Sequence, residues 1–243
     1  MWSLWKMPLT NCLDKEKSLL PPLFIEVAGR ASPLSKVQIQ EVLLELNQFH
    51  PHIHFNIQYL LTCGDLDQKT SLRDLGRTNF FTKEIDQLIL DGKCRIGIHS
   101  AKDLPEPLHP ELSLLCLTKG VDSADVLVLR QNESLETLPK GACIATSSYK
   151  REENVRLLRS DLTFKDIRGT VDDRLAFLES KHADGLVVAE AALIRLGLTH
   201  LNRIRLPGET TRHQGRLAVV GRVSDHEMRC FFASLDVRNQ IIK

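Results

Sequence analysis

The chain has 243 residues, 42% hydrophobic and 26% charged, which suits one large domain or two smaller ones with their own cores and excludes disordered, collagenous and small disulfide-stapled proteins. Its 32 Lys and Arg against 31 Asp and Glu leave a net charge of +1, without the basic excess of a nucleic-acid binder, so any basic site is local. Cys12, Cys63, Cys94, Cys116, Cys143 and Cys230 form no Cys-x-x-Cys pair and no histidine stands at ligand spacing, which argues against a metal and for reduced, mostly buried thiols.

In chain order, residues 1–20 hold two Trp but only a short, interrupted apolar stretch, with no signal-peptide core or cleavage site. No apolar run reaches the roughly 18 residues of a membrane span. The expectation is a cytoplasmic protein with a poorly structured leader and no membrane partner. Strands are predicted over 23–29, 53–60, 94–100, 112–118, 125–130, 142–148, 163–169, 185–190 and 216–223, most of them continuous enough to be buried on both faces. Helical spacing lies between them at 32–49, 80–92, 147–160, 170–181 and 190–198, and Cys230 falls in a helical stretch at 228–235. Such alternation gives an α/β fold with mainly parallel sheets. A polar segment at 130–141 punctuates the middle, and a second sheet is expected to open between Asp122 and Val128. The preferred architecture is two domains with a cleft between them.

Cations gather where predicted strands end and helices begin. Arg30 and Ser32 lie between a strand and a helix, with Pro33 near the first helical position. The strand "CRIGIH" runs out through Ser100, Lys102 and Asp103 to a proline, and in open α/β sheets ligands bind at strand ends. In "ATSSYKRE" either Ser147 or Ser148 can cap a helix whose first turn, with Lys150 and Arg151, makes an anion site; the plainer reading is a capped helix with a solvated basic turn. "DIRGTVDDRL" repeats the logic, with Arg168 ending a strand, Gly169 allowing a tight turn, Thr170 and Asp173 forming a capping box and Arg174 following. Arg195 stands in an otherwise apolar helix and needs either an internal carboxylate or a ligand. Cations sorted in this way predict a ligand with several carboxylates or phosphates. Asp103, the one acid at a comparable strand end, is placed to stabilise a cationic intermediate. Arg151 and Arg168 are expected to be poorly paired without that ligand and to contribute little to stability.

These residues carry a resemblance. "HSAKDLP" is similar to the His-Ser-x-Lys-Asp-x-Pro signature of the porphobilinogen deaminase, or hydroxymethylbilane synthase, family, while "GRASPLSKVQ" and residues 145–198 resemble its N-terminal motif and second domain. The resemblance covers roughly residues 23–236. It implies two periplasmic-binding-protein-like domains, 21–118 with 217–236 and 119–216, and a transferase of tetrapyrrole and heme biosynthesis that joins four porphobilinogen units head to tail with loss of ammonia. By motif, Asp103 would be the catalytic carboxylate, and Arg30, Ser32, Ser100, Lys102, Thr146, Ser147, Ser148, Lys150, Arg151, Arg168, Gly169, Arg174 and Arg195 would bind the carboxylates of substrate or cofactor. Lys150 stands where the family has Arg. In the lid loop, Asp74 and Thr78 replace expected lysines and Asn79 a glycine, while Gly76 and Phe81 remain. The family's third domain, with the Cys that carries a dipyrromethane primer, is not matched, so any primer is expected to be held non-covalently. The alternatives are a partner protein in place of that domain, or a non-catalytic binder of tetrapyrroles or their precursors.

Overall fold

A computed structural model describes residues 21–73 and 75–242; the leader at 1–20, with Cys12, and Asp74 lie outside the described residues. Among the described residues, ten strands form two five-stranded sheets. The first has the order β2-β1-β3-β10-β4, made by β1 (Leu23–Arg30), β2 (Ile53–Leu60), β3 (Ile96–Ser100), β4 (Leu112–Leu117) and β10 (Leu217–Arg222). The second has the order β7-β6-β8-β5-β9, made by β5 (Asp125–Val128), β6 (Cys143–Ala145), β7 (Thr163–Lys165), β8 (Gly185–Ala189) and β9 (Arg203–Arg205). In each sheet a single strand, β10 or β5, runs against the other four, so both sheets are mainly parallel as expected.

Mainly parallel sheets must be covered on both faces, and even the one reversed strand of each shows it. Along β10, Leu217 and Val219 join one core cluster of the first sheet while Ala218 and Val220 join the other. Along β5, Val126 and Val128 face one cluster of the second sheet while Leu127, and Leu129 just past the strand's end, face its opposite. The cover on the first sheet includes α1 (Pro33–Phe49), which presents Ile39, Val42, Leu43 and Leu46 at helical spacing. Each of these buried side chains contributes about 1.5–3 kcal/mol relative to an exposed one. Ser32 caps α1 by accepting from Ser35 N at 3.3 Å, Pro33 fills its first position, and the helix stops at Phe49, just ahead of His50 and Pro51.

Several boundaries differ from expectation. The strand expected over 142–148 ends at Ala145 and that over 163–169 at Lys165, because the chain turns away there to deliver side chains to the cleft. The helices at 147–160 and 170–181 shorten to α4 (Tyr149–Arg156) and α5 (Val171–Glu179), and that at 80–92 to α3 (Lys83–Leu90). Two elements lacked a periodic signal. α2 (Cys63–Leu66) is one turn held by a capping box between Thr62 and Asp65, and β9 is three residues long. α6 (Glu190–Arg195) and α7 (His226–Phe232) complete the helices. The thiols are less buried than predicted: Cys94 and Cys116 are in the cores, Cys143 is intermediate, and Cys63 and Cys230 are exposed.

Candidate active site

Carboxyl ends of parallel strands from both sheets meet around one cavity of about 540 Å³. β1 brings Arg30 to it, and β3 ends on Ser100 before a single 3₁₀ turn, Ala101–Asp103, lifts Lys102 and Asp103 off the sheet. From the second sheet come Ser147 after β6, Arg151 on α4, Arg168 and Gly169 after β7, and Arg174 on α5. Gly169 turns at φ +105°, which lets α5 start at once under the predicted capping box, with Thr170 Oγ1 accepting from Asp173 N at 3.2 Å.

The cations divide by what they touch. Arg30 is paired with Asp65, its Nε 3.2 Å from each carboxylate oxygen, and stacks over Phe81 at 4.5 Å. Arg151 donates from Nε and Nη2 to Asp125 Oδ1 at 3.0 and 2.6 Å, a carboxylate whose side chain is only 3% exposed. Lys102, Arg168 and Arg174 ion-pair with none of the described carboxylates. Lys102 donates to Gln214 Oε1 at 3.4 Å, Arg174 Nε to Gly169 O at 3.0 Å, and Arg168 Nη2 to Gly64 O and Asp67 O at 2.8 Å each. Arg168 keeps Nε and Nη1 buried without a partner. Burial, then the neighbouring Arg151 and Arg168, pulls Arg174 down to about 10; burial likewise lowers Lys102 and Arg168. A ligand carboxylate beside these buried cations would offset the cost of keeping them charged. Asp103 makes no hydrogen bond or ion pair with the described residues, and its carboxylate lines the cavity.

Ser32 lines the cavity while capping α1, and Ser147 lines it while accepting from Ile167 N at 3.1 Å, which leaves Ser148 at the start of α4 without a side-chain cap bond. Four predicted residues lie outside the lining. Thr146 is 1% exposed with its hydroxyl unpartnered; Ser148 sits at the N-cap of α4; and Lys150 points to Glu209 at 3.4 Å. Arg195 finds the internal partner its burial requires, donating from Nε and Nη2 to Glu41 at 2.6 and 2.9 Å and from Nη2 to Gly215 O at 3.0 Å. The notion that Arg151 stands poorly paired is corrected by Asp125, whereas for Arg168 it holds as far as carboxylates go.

Gly64, Asp67 and Arg73 are tied across the cleft. Arg73 reaches the second sheet, donating to Thr146 O at 2.9 Å and pairing with Glu152 at 2.6 Å over the Tyr149 ring. Arg168 answers from the other side through Gly64 O and Asp67 O, and Phe81 packs so close to Gly64 that a Cβ there would lie 2.3 Å from its ring. Gly76 has open space around it, and Thr78 and Asn79 follow in the same loop.

His99, beneath this site on β3, is 5% exposed with Nε2 unpartnered; burial, then Arg30, lowers it to about 4 from its ordinary 6.5. It is neutral in the folded chain, so between pH 6.5 and about 4 the unfolded chain binds the extra proton. Stability is therefore expected to fall as pH drops through that window, by up to about 1.4 kcal/mol per pH unit from this residue. Denaturant unfolding of native and His99→Gln protein across the window checks this, since the variant should lose that slope.

The family model described as "Porphobilinogen deaminase, dipyromethane cofactor binding domain" matches residues 25–230. A probable porphobilinogen deaminase of Chlamydia trachomatis is 37% identical over 217 residues, covering 89% of this chain and 89% of that protein. A porphobilinogen deaminase of Prochlorococcus marinus is 38% identical over 201 residues, covering 80% of this chain and 63% of that one. Among solved structures, a periplasmic substrate-binding protein of an ABC transporter from Coxiella burnetii superposes with a TM-score of 0.53 at 14% identity, covering 87% of this chain and 91% of that one. The LysR-family regulator CbnR superposes with a TM-score of 0.56 at 12% identity, covering 93% of this chain and 73% of that one. These likenesses show the fold, two periplasmic-binding-protein-like halves. Matched from residue 25 to residue 230 and carrying the cation-lined cavity, with Asp103 facing it, that its motifs led to, the chain belongs to the porphobilinogen deaminase family.

Proposed function

We propose that this protein is a hydroxymethylbilane synthase, a transferase that condenses four porphobilinogen units head to tail with release of ammonia. The observation that carries the reading is Asp103, a carboxylate without a hydrogen-bonding or ion-pairing partner among the described residues, facing a cavity to which both sheets bring cations. Each porphobilinogen carries an acetate and a propionate, which suit Lys102, Arg151, Arg168 and Arg174. Loss of ammonia from its aminomethyl group leaves a cationic carbon conjugated with the ring, and Asp103 opposes that charge from a fixed position. The free α-carbon of the preceding pyrrole then attacks, and a proton leaves the new bond's ring carbon. Arg30, from the end of β1, and Ser32, from the start of α1, complete the carboxylate contacts on the first sheet's side.

The cavity fits a dipyrromethane group on its anionic side: Arg168 offers two buried, unpartnered N–H edges, and Lys102 and Arg174 are without ion partners among the described residues. When bound, the group supplies the terminal pyrrole carbon to which new units are joined. We propose that it is held without a covalent link. Burial raises the Cys94 thiol and pushes Cys116 up to about 12, and a hydrogen bond to Glu84 at 2.8 Å raises the exposed Cys63. Raised thiols are poor nucleophiles at neutral pH. Mass spectrometry of the denatured protein is expected to show the bare chain; an adduct of two pyrroles on any cysteine refutes the proposal and identifies the thiol.

The proposal extends to a cytoplasmic protein with no membrane or nucleic-acid partner, in which 21–118 with 217–236 and 119–216 act as the two domains; among the described residues no helix is long and apolar enough to cross a membrane. Ammonia release and bilane formation from porphobilinogen by purified protein test the function. Binding of porphobilinogen without release would leave a binding protein instead.

A further inference from the structure

Two stretches of chain cross between the sheets, 118–124 on the way out and 206–216 on the return. They run backbone against backbone: Gly120 and Gly215 have φ of +81° and +79°, and a Cβ on Gly215 would stand 1.9 Å from Asp122 O. Gln214 is at this junction, 4% exposed. Its Nε2 donates to Ser123 O at 3.0 Å, Ala124 O at 3.1 Å and Asp125 Oδ1 at 2.9 Å. Only the NH₂ end of an amide can serve those acceptors, so the carbonyl end is left for the cation beside it and accepts from Lys102 Nζ. Asp125 in turn holds Arg151 on the same Oδ1. A continuous polar chain, Lys102 to Gln214 to Asp125 to Arg151, thus links a cavity cation beside the first sheet with one beside the second.

We propose that Gln214 is a positioning residue, which holds Lys102 and, through Asp125, Arg151 in fixed register across the junction of the two sheets so that both reach the substrate's carboxylates together. The proposal rests on the assignment of those two cations to the substrate. A neutral amide is the group this place requires. It accepts from a cation and donates to an anion at once, whereas a carboxylate would repel Asp125 and an ammonium would repel Lys102. Lys102 is faced by Arg151 of α4, Arg174 of α5, Asp125 of β5 and Asp103 of its own turn, so its proton affinity reports any change in that register.

Three measurements on Gln214→Leu and Gln214→Glu test this. Gln214→Leu should raise KM for porphobilinogen about tenfold with a smaller change in kcat, and that rise should shrink, leaving only the part carried through Asp125 and Arg151, when Lys102→Met is already present. In ¹³C NMR of labelled lysines, the Lys102 titration should move down by about half a pH unit in Gln214→Leu and up in Gln214→Glu. An unmoved titration, or the same rise in KM with and without Lys102, overturns the proposal. If the native protein releases no ammonia, the assigned function fails, while the titration still decides the role of Gln214. Should the Leu variant not fold, Gln214→Asn, whose shorter amide falls short of Lys102, should show the same downward movement.

Discussion

Protein carrying Asp103→Asn is expected to fold and melt like the native chain and to turn over porphobilinogen at least about a hundredfold more slowly. The first half follows from what Asp103 lacks. It has no hydrogen-bonding or ion-pairing partner among the described residues, so an amide of the same shape leaves no buried group stranded. The second half follows from what surrounds it. Lys102 and Arg174 are close enough to feel its charge, and both are already depressed by burial and by other cations. Asp65 and Asp173 of the same lining are already engaged, with Arg30 and with Thr170, so Asp103 is the unengaged carboxylate beside these cations that can oppose a carbocation, and the substitution removes it. Ammonia release measured beside thermal melting separates the two effects; near-native turnover by the Asn protein would remove Asp103 from the chemistry.

Arg151→Leu and Arg168→Leu should behave in opposite ways although both residues line the same cavity. Removing Arg151 leaves Asp125, at 3% side-chain exposure, with Gln214 as its remaining side-chain donor, and breaking a buried pair from one side costs about 3 kcal/mol or more. Removing Arg168 strands no carboxylate and gives up two hydrogen bonds to backbone carbonyls, each with a net value of about 1 kcal/mol. Denaturant unfolding should therefore show a clear loss for Arg151→Leu and a smaller one for Arg168→Leu. Porphobilinogen affinity should fall about tenfold or more in Arg168→Leu, because its two unpartnered N–H edges are the ones offered to a ligand. Equal stabilities would mean that Arg151 and Asp125 are not paired in solution.

What the sequence disclosed about this site was local. The capping box of Thr170 and Asp173, the tight turn at Gly169 and the run from β3 into Asp103 each lie within a few residues, so spacing and residue type were enough to place them. The pairs that decide what each cation does span the chain. Arg195 meets Glu41 across 154 positions and Lys102 meets Gln214 across 112, and no periodicity records such partners. Arg195 accordingly read from its helix as needing either an internal carboxylate or a ligand and was assigned by motif to the ligand, and only the packing of α6 near α1 shows that its guanidinium rests on Glu41. Gln214 drew no notice because a lone glutamine in a loop carries no pattern. The short β9 was missed for a simpler reason: three residues reading Arg-Ile-Arg are too few to show alternation.

The order of strands in the first sheet has a consequence for the chain during its synthesis. β10, residues 217–222, is inserted between β3 and β4, so β4 has no neighbour in the sheet to pair with until residues 217–222 have left the ribosome. The second sheet is drawn from one uninterrupted stretch, Asp125 to Arg205, and has all its strands in hand earlier. The half begun first is thus the half closed last, and its nascent β1, β2 and β3 must wait, with the edge of β3 that β10 will pair still open, while the later half is already complete.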